Sequence, residues 1–416
     1  MNRLRWMPAV FLPVAVLHAA ALTETLQLPD LIAEALARNP ELQAAQAASR
    51  AALERPSQAR ALPDPVFSPS YLSGGGLPHG TELGPKSSSH IGAMISQELP
   101  VAGKRRLRGE IASKEAAAVL QEYQLARLGL IARVKQAYHR LQYTHAAIEL
   151  ISRERDLLRR LRRSSDTPYF LGQSAQDAQV AYLDLRVLEL GQEQHRLADE
   201  LNALRARPPD DPLPPPPPLS APPPPEPLAE LSARALRSAP LVRLAYQQVE
   251  RDELGVELAR KQYWPDPTLS LGYYRLHTSP DVFELRADVA IPLHRRDRQD
   301  AHLAERRAAL EEARFRAAAA ERELLREIGA EYLRAHTAAK QMSAYADRII
   351  PESKKALNSY LSGYEGGVIE FMAVQESFKS TLEYQLGYLD QVLDLCLAVD
   401  RLEALTGPEL YVENGS

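Results

Sequence analysis

Apolar positions recur at alternating spacings of three and four along two long stretches of the chain. Ile131, Val134, Tyr138, Leu141, His145 and Ile148 form the first stripe, and Ile328, Tyr332, Ala335, Ala339, Met342, Ala346 and Ile349 the second. A period near 3.5 gives a narrow seam and predicts helices wound left-handed on their neighbours. Lys104 to about Arg163 holds no proline and one glycine, Gly129, so the pattern predicts a single helix there, about 90 Å long at ~1.5 Å per residue. The matching segment runs from about Arg295 to Ile350, where Pro351 is expected to stop it. Return helices are predicted over roughly 174–206 and 368–405.

Between the helices the period changes to two. In Val282–Ile291, Phe283, Leu285, Ala287, Val289 and Ile291 share one face, with Glu284, Arg286 and Asp288 on the other. Leu269, Leu271 and Tyr273 alternate with Ser270, Gly272 and Tyr274, and Ile91, Ala93 and Ile95 with Gly92, Met94 and Ser96. Strands are therefore predicted at about 66–72, 90–98, 268–276 and 282–291, the first being weakest because Pro69 interrupts it. Apolar-out, polar-in alternation fits a membrane barrel strand as well as a soluble hairpin. Pro63, Pro65, Pro265 and Pro267 are expected to end the incoming helices. Pro100 and Pro292 are expected in the first turns of the outgoing ones.

The plan occurs twice. Leu31-Ile-Ala-Glu-Ala-Leu-Ala-Arg-Asn-Pro40 returns as Leu231-Ser-Ala-Arg-Ala-Leu-Arg-Ser-Ala-Pro240, Pro63-Asp64-Pro65 as Pro265-Asp266-Pro267, and Leu201 and Leu204 as Leu402 and Leu405. The fold class read from this is mainly α with a small β part, a duplicated helix-strand-strand-helix unit. The divisions are a signal peptide at 1–21, a first repeat at 22–207, a Pro-rich linker at 208–227, a second repeat at 228–410 and a tail at 411–416. The linker's proline runs predict an extended polyproline strap.

Composition narrows the setting. Arg3 and Arg5 precede a short apolar run, Met7–Leu17, and Ala19-Ala20-Ala21 offers small residues for cleavage, the pattern of a secretory signal. Without those two arginines the formal charge moves from -4 to -6, which gives no reason to expect nucleic acid. Cys396 is the only cysteine, so no intrachain disulfide can form and packing must hold the chain together. Beyond the signal no segment reads as a membrane-spanning helix, so any membrane crossing would be by strands. Aromatic residues make up 6% of the chain while Ala, Leu, Arg, Glu and Gln dominate, which favours long helices over one thick core.

Four strands cannot close a barrel, and an open edge cannot face lipid with its backbone groups unpaired. Several chains must then share one barrel. Two would supply eight strands and a filled interior; three would supply twelve and leave room for water. A second reading, a periplasmic coiled-coil scaffold or adaptor without a pore, needs only soluble hairpins.

Gln97-Glu-Leu-Pro-Val-Ala-Gly-Lys-Arg105 at a strand-to-helix junction, and Tyr364-Glu-Gly-Gly-Val-Ile-Glu-Phe371 before the last helix, resemble the TolC-type outer membrane efflux proteins across essentially the whole mature chain. The resemblance implies a homotrimer with a shared 12-stranded transmembrane β-barrel and a long periplasmic coiled-coil α-barrel. It also implies docking to a periplasmic adaptor (membrane fusion) protein and, through it, an inner-membrane pump. The Pro-x-x-Gly-Lys-Arg segment is most similar to the heavy-metal-efflux branch. The family's tip motif, Arg-x3-Gly-x6-Val-Leu, corresponds to Gly363, Gly367, Val374 and Gln375 in the second repeat. In the first it corresponds to Gly172, with Pro168 and Gln179 where Arg and Val would fall. Gly172, Gly363, Gly367 and Val374 are thus candidate adaptor-docking positions, although glycines there also simply end helices.

Asp177 and Glu370 lie just beyond the two tip turns. Symmetry would make each a ring of carboxylates that favours cations, while their alternative role is charge complementing helix N-termini. No nucleophile elbow, zinc-protease motif, phosphate loop or cysteine pair is present, and His139 and His145 are spaced wrongly for a metal pair. No enzyme activity, cofactor or bound metal is expected.

Overall fold

The computed structural model describes residues 25–73, 89–101, 103–164, 170–277 and 279–407, with backbone alone at 161–164 and 170–176. The expected signal peptide at 1–21, most of the loop after the first strand and the expected tail at 411–416 lie outside the described residues.

Each repeat begins with two helices broken by a proline at the head of the second: α1 (Leu28–Arg38) and α2 (Pro40–Arg60), then α5 (Leu228–Ser238) and α6 (Pro240–Lys261). Asn39 caps α2 by accepting from the Leu42 N–H at 3.1 Å. Its amide also donates to the Leu204 carbonyl at 3.0 Å, tying the end of the first repeat to its beginning. In the second repeat Ser238 does that work, with its hydroxyl donating to the Thr406 carbonyl at 2.8 Å.

The strands β1 (Val66–Leu72), β2 (His90–Glu98), β3 (Pro267–Leu276) and β4 (Val282–Val289) form one antiparallel sheet in chain order. Pro69 does not break β1, because within the single chain β1 pairs on one side only, with β2, and a missing ladder N–H is tolerated on its other side. β4 ends at Val289, short of Ile291.

Two long helices leave the sheet. α3 (Lys104–Ser164) is unbroken over 61 residues. Its counterpart comprises a π-helical turn (Arg296–Asp300), α7 (Ala301–Ala344), a second π turn (Tyr345–Ile349) and α8 (Ile350–Glu365). Pro351 therefore does not stop this helix. In the π turn just before it the Ile350 N–H donates to Tyr345 O, five residues back, and this wider turn accommodates the proline ring. Nor do Pro100 and Pro292 sit in first turns: the helical elements begin at Lys104 and Arg296, and each proline precedes the short turn that leads into them. The return helices are α4 (Phe170–Leu204) and α9 (Phe371–Thr406).

No single thick core exists among the described residues. Small clusters follow one another along the bundle. Leu31, Ala35, Val134, Leu141, Leu197 and Leu201 form one in the first repeat; Leu231, Ala235, Val242, Ile328 and Leu402 form its equivalent in the second. Nearer the other end Ile151, Leu158, Leu183, Leu357, Phe378 and Leu382 join both repeats. Below the sheet the helices lie side by side in the order α2–α3–α6–α7, and in the far half α4–α3–α9–α7/α8. One flank of the molecule is thus built by the first repeat (β1, α2, α4) and the other by the second (β4, α7, α8).

Residues 208–227 form the extended strap, and it is pinned down. Gln142 donates to the Pro217 carbonyl at 3.1 Å, Leu26 N–H to Pro215 O at 3.1 Å, and the Cys396 thiol points to Ser220 O at 3.6 Å.

Candidate functional site: sheet faces, junction and helical tip

The register makes the two faces of the sheet chemically different. Phe67, Ile95, Leu271 and Leu285 align in one row across the four strands, with Pro69, Ala93, Tyr273 and Phe283 in the next. This face is solvent-exposed in the single chain, with Phe283 78% and Leu285 74% accessible. A contiguous apolar surface of that kind belongs against lipid. The opposite face carries Ser68, Ser70, Ser96, Ser270, Glu284, Arg286 and Asp288; Ser96 and Ser270 hydrogen-bond across β2 and β3 at 2.9 Å, and Arg286 pairs with Asp288 at 3.0 Å. Tyr274 covers glycines here: a Cβ on Gly92 would lie 2.5 Å from its ring. His90 meets the same ring edge-on at 5.2 Å. The polar face is the one a water-filled lumen requires.

At the base of the sheet, Asp266 joins the repeats. Its carboxylate accepts from the Val101 N–H at 2.7 Å and from Lys104 Nζ at 2.8 Å, and Lys104 also donates to the Trp264 carbonyl at 2.6 Å. Burial opposes ionisation of Asp266, but the Lys104 ammonium and the Val101 N–H outweigh it and hold its pKa below the usual carboxylate value. Gly103, at φ +99°, makes the bend that places Lys104 there. Neither the recurrence of Pro-Asp-Pro nor the Gly-Lys pair disclosed this contact from sequence.

At the far end, the turn after α8 satisfies its last carbonyls by a Schellman arrangement. Val368 N–H donates to Gly363 O at 2.9 Å and Gly367 N–H to Tyr364 O at 3.0 Å. Gly367 is the left-handed residue this turn demands, at φ +72°. Ile369 packs so closely on Gly363 that a Cβ there would lie 2.5 Å from it. Val374 is buried at 1%, so it shapes the tip from inside and presents no surface. What the turn does present is Val368, 85% exposed, and Met372, 56% exposed, positions the sequence motif did not single out. Glu370 is exposed at the N-cap of α9 and makes no side-chain cap bond. Asp177 is exposed on α4, and Gly172 lies within the α4 backbone. Residues 165–169, including Pro168, lie outside the described residues. The shared cluster of Leu158, Leu183, Leu357 and Phe378 puts the tips of both repeats at one end of the bundle.

Midway, His139 on α3 faces Asp400 on α9 at 3.6 Å and contacts Gln142 at 3.0 Å. Burial alone would lower the His139 pKa; Asp400, then Gln142, outweigh it and raise the value overall, against Lys135. Lys135 itself pairs with Glu403. Cys396 lies beside Asp400, and burial first, then that carboxylate, pushes its thiol up to about 12. Among the described residues no group of His, Cys, Asp and Glu could hold a metal ion, and no helix is long and apolar enough to cross a membrane.

Comparison with known proteins agrees with this arrangement. The family model described as "Outer membrane efflux protein" matches residues 31–206 and 231–408, one match per repeat. No curated protein matches the chain. Among solved structures, the open-state MtrE outer membrane channel of Neisseria gonorrhoeae superposes with a TM-score of 0.77 at 20% identity, over 91% of this chain and 89% of that one. VceC from Vibrio cholerae gives 0.76 at 21% identity over 92% and 96%. CusC gives 0.78 at 16% identity over 96% and 99%. The chain belongs to the outer membrane efflux protein family, the TolC-type channels whose helical portion extends into the periplasm.

Proposed function

We propose that three copies of the chain close a 12-stranded barrel over a hollow helical tube, a passive conduit that takes solute from a periplasmic adaptor and an inner-membrane pump to the exterior. The observation that carries this reading is the pair of unlike flanks. β1, α2 and α4 all lie on one side and β4, α7 and α8 on the other, each ending in an unpaired edge. Unlike flanks make a head-to-tail contact, and such contacts close into rings when the rotation allows. Tyr182, Leu185 and Leu188 on α4 and Leu333 on α7 are exposed on opposite flanks, as a buried seam between copies would need.

For the adaptor we propose the tip, with Val368 and Met372 as the apolar contact, Gly363 and Gly367 forming the turn that presents it, and Gly172 in the first turn of α4 at the same end of the bundle. Val374 supports the turn from within. For the cargo we propose metal cations. This rests on the likeness of the Pro100-to-Arg105 segment to the heavy-metal branch and on Asp177 and Glu370 as rings of carboxylates near the narrow end.

The test is single-channel recording in a planar bilayer under a salt gradient. The wild type should conduct and favour cations, and Glu370→Gln should weaken that preference at unchanged barrel assembly. Absence of conductance would overturn the conduit; unchanged selectivity would remove Glu370 from the gate. In cells, Val368→Glu keeps the glycine turn and should abolish efflux while leaving channels in the membrane, whereas normal efflux would count against docking there.

A further inference from the structure

The junction at the base of the barrel is made once within the chain, although the sequence supplies its parts twice. In the version that is made, the incoming end of the second repeat meets the outgoing end of the first: Asp266 holds Val101 N–H and Lys104, and Leu99 N–H donates to the Pro267 carbonyl at 2.8 Å. The unused parts are Pro63-Asp64-Pro65 and Pro292-Leu293-His294-Arg295-Arg296. Arg296 follows Pro292 at the same distance as Lys104 follows Pro100. Asp64 and Arg296 lie on opposite flanks, both exposed, and neither side chain makes a hydrogen bond or ion pair among the described residues.

We propose that these unused parts form the same junction between neighbouring copies: Asp64 of one chain pairs with Arg296 of the next and accepts its Leu293 N–H. In the single chain that N–H turns back to the Ile291 carbonyl at 2.9 Å, a bond the incoming carboxylate replaces. The proposal rests on the ring of copies described above and adds to it a residue-level contact and a strand register. Transferring the β2–β3 pairing by the repeat turns Ile95↔Leu271 into Ala287↔Pro69, and Ala93↔Tyr273 into Leu285↔Tyr71. Within the strands, the transferred lipid-face pairs Val289↔Phe67, Ala287↔Pro69 and Leu285↔Tyr71 keep apolar residues together. A slip of one residue would mix the faces, which is why the register is strongly specified.

The arrangement also accounts for a cation at the start of a helical segment, where the backbone dipole favours negative charge. Lys104 is stabilised there by Asp266, and Arg296 has the same need and gains the same kind of partner.

The experiment is a charge exchange in the full-length channel, read as the dissociation rate of purified trimers in detergent at fixed temperature. Asp64→Arg and Arg296→Asp should each speed dissociation about tenfold, and the double variant should return to within about threefold of wild type. The milder Asp64→Asn keeps the side-chain shape and should accelerate dissociation with unchanged helix content. Asp64→Arg combined with Arg295→Asp should not be rescued, because Arg295 already lies over the Tyr263 ring of its own chain at 4.5 Å. Additive effects in the Asp64–Arg296 double variant, or equal rescue through Arg295, would overturn the contact while leaving the ring. A wild type that is monomeric in detergent would overturn both.

Discussion

His139 shows how one buried side chain can make the bundle respond to pH. Its pKa is raised in the folded chain because Asp400 and Gln142 outweigh the cost of burial. A group raised on folding stabilises fully below its unfolded value, near ~6.5 for imidazole, and loses that contribution as pH climbs through the folded value. Unfolding followed across pH 6 to 9 should therefore show stability falling in this window, and His139→Gln should flatten the fall. An unchanged pH profile in the variant would assign the dependence elsewhere. From sequence His139 was weighed only as a metal ligand and set aside. Its actual partner is more than 250 positions away, on the last helix of the other repeat, and no periodicity reports a pairing of that kind. Cys396, by contrast, was legible as a thiol without a disulfide partner, and its burial beside the same carboxylate explains why it stays protonated.

At the scale of elements, the junction between strand and helix depends on a buried charge. Lys104 has a side chain only 4% exposed, and Asp266 is its paired carboxylate. Asp266→Ala should destabilise the folded chain by about 3 kcal/mol, since it leaves the ammonium buried without its partner. The double variant Lys104→Met/Asp266→Ala should recover much of that loss in thermal unfolding. If the double variant is no more stable than the single, Lys104 is not the reason Asp266 matters. The long helices teach a related point. The absence of proline from Lys104 to about Arg163, with the 3.5 period over Ile131–Ile148 inside it, was enough to read α3 as one piece. The second needle was misread at Pro351, because a proline rule assumes regular α geometry and the π turn at Tyr345–Ile349 supplies another. The glycine turn at the tip was legible as a helix end. Which side chains it exposes was not, since exposure of Val368 and burial of Val374 depend on how α8 and α9 meet.

At the scale of the whole molecule, the flanks invite a direct test. Leu185 and Leu188 are 53% and 62% exposed in the single chain, so replacing both with Glu should leave each chain folded. Burying a leucine at a seam stabilises by about 2 kcal/mol, and a carboxylate there would be desolvated without a partner. The double variant should run as a monomer on light-scattering in detergent while retaining its helix content. Intact trimers would show that α4 is not at the seam.

The duplicated plan, the four strands and the needle-like helices could be read from the chain alone, because they are periodic. Period 2 and period 3.5 record which faces must leave water, and a repeated Pro-Asp-Pro or Leu-x3-Ala-Leu marks equivalent places whatever lies between. The tertiary structure decided which equivalent places meet. Asp266 reaches Lys104 while Asp64 is left on a flank; His139 finds Asp400; the strap lies over Gln142 and Cys396; β1 and β4 become open edges. These are contacts between residues far apart in sequence, set by how the helices of the two repeats pack beside one another under one sheet, and a pattern local to the chain carries no record of them.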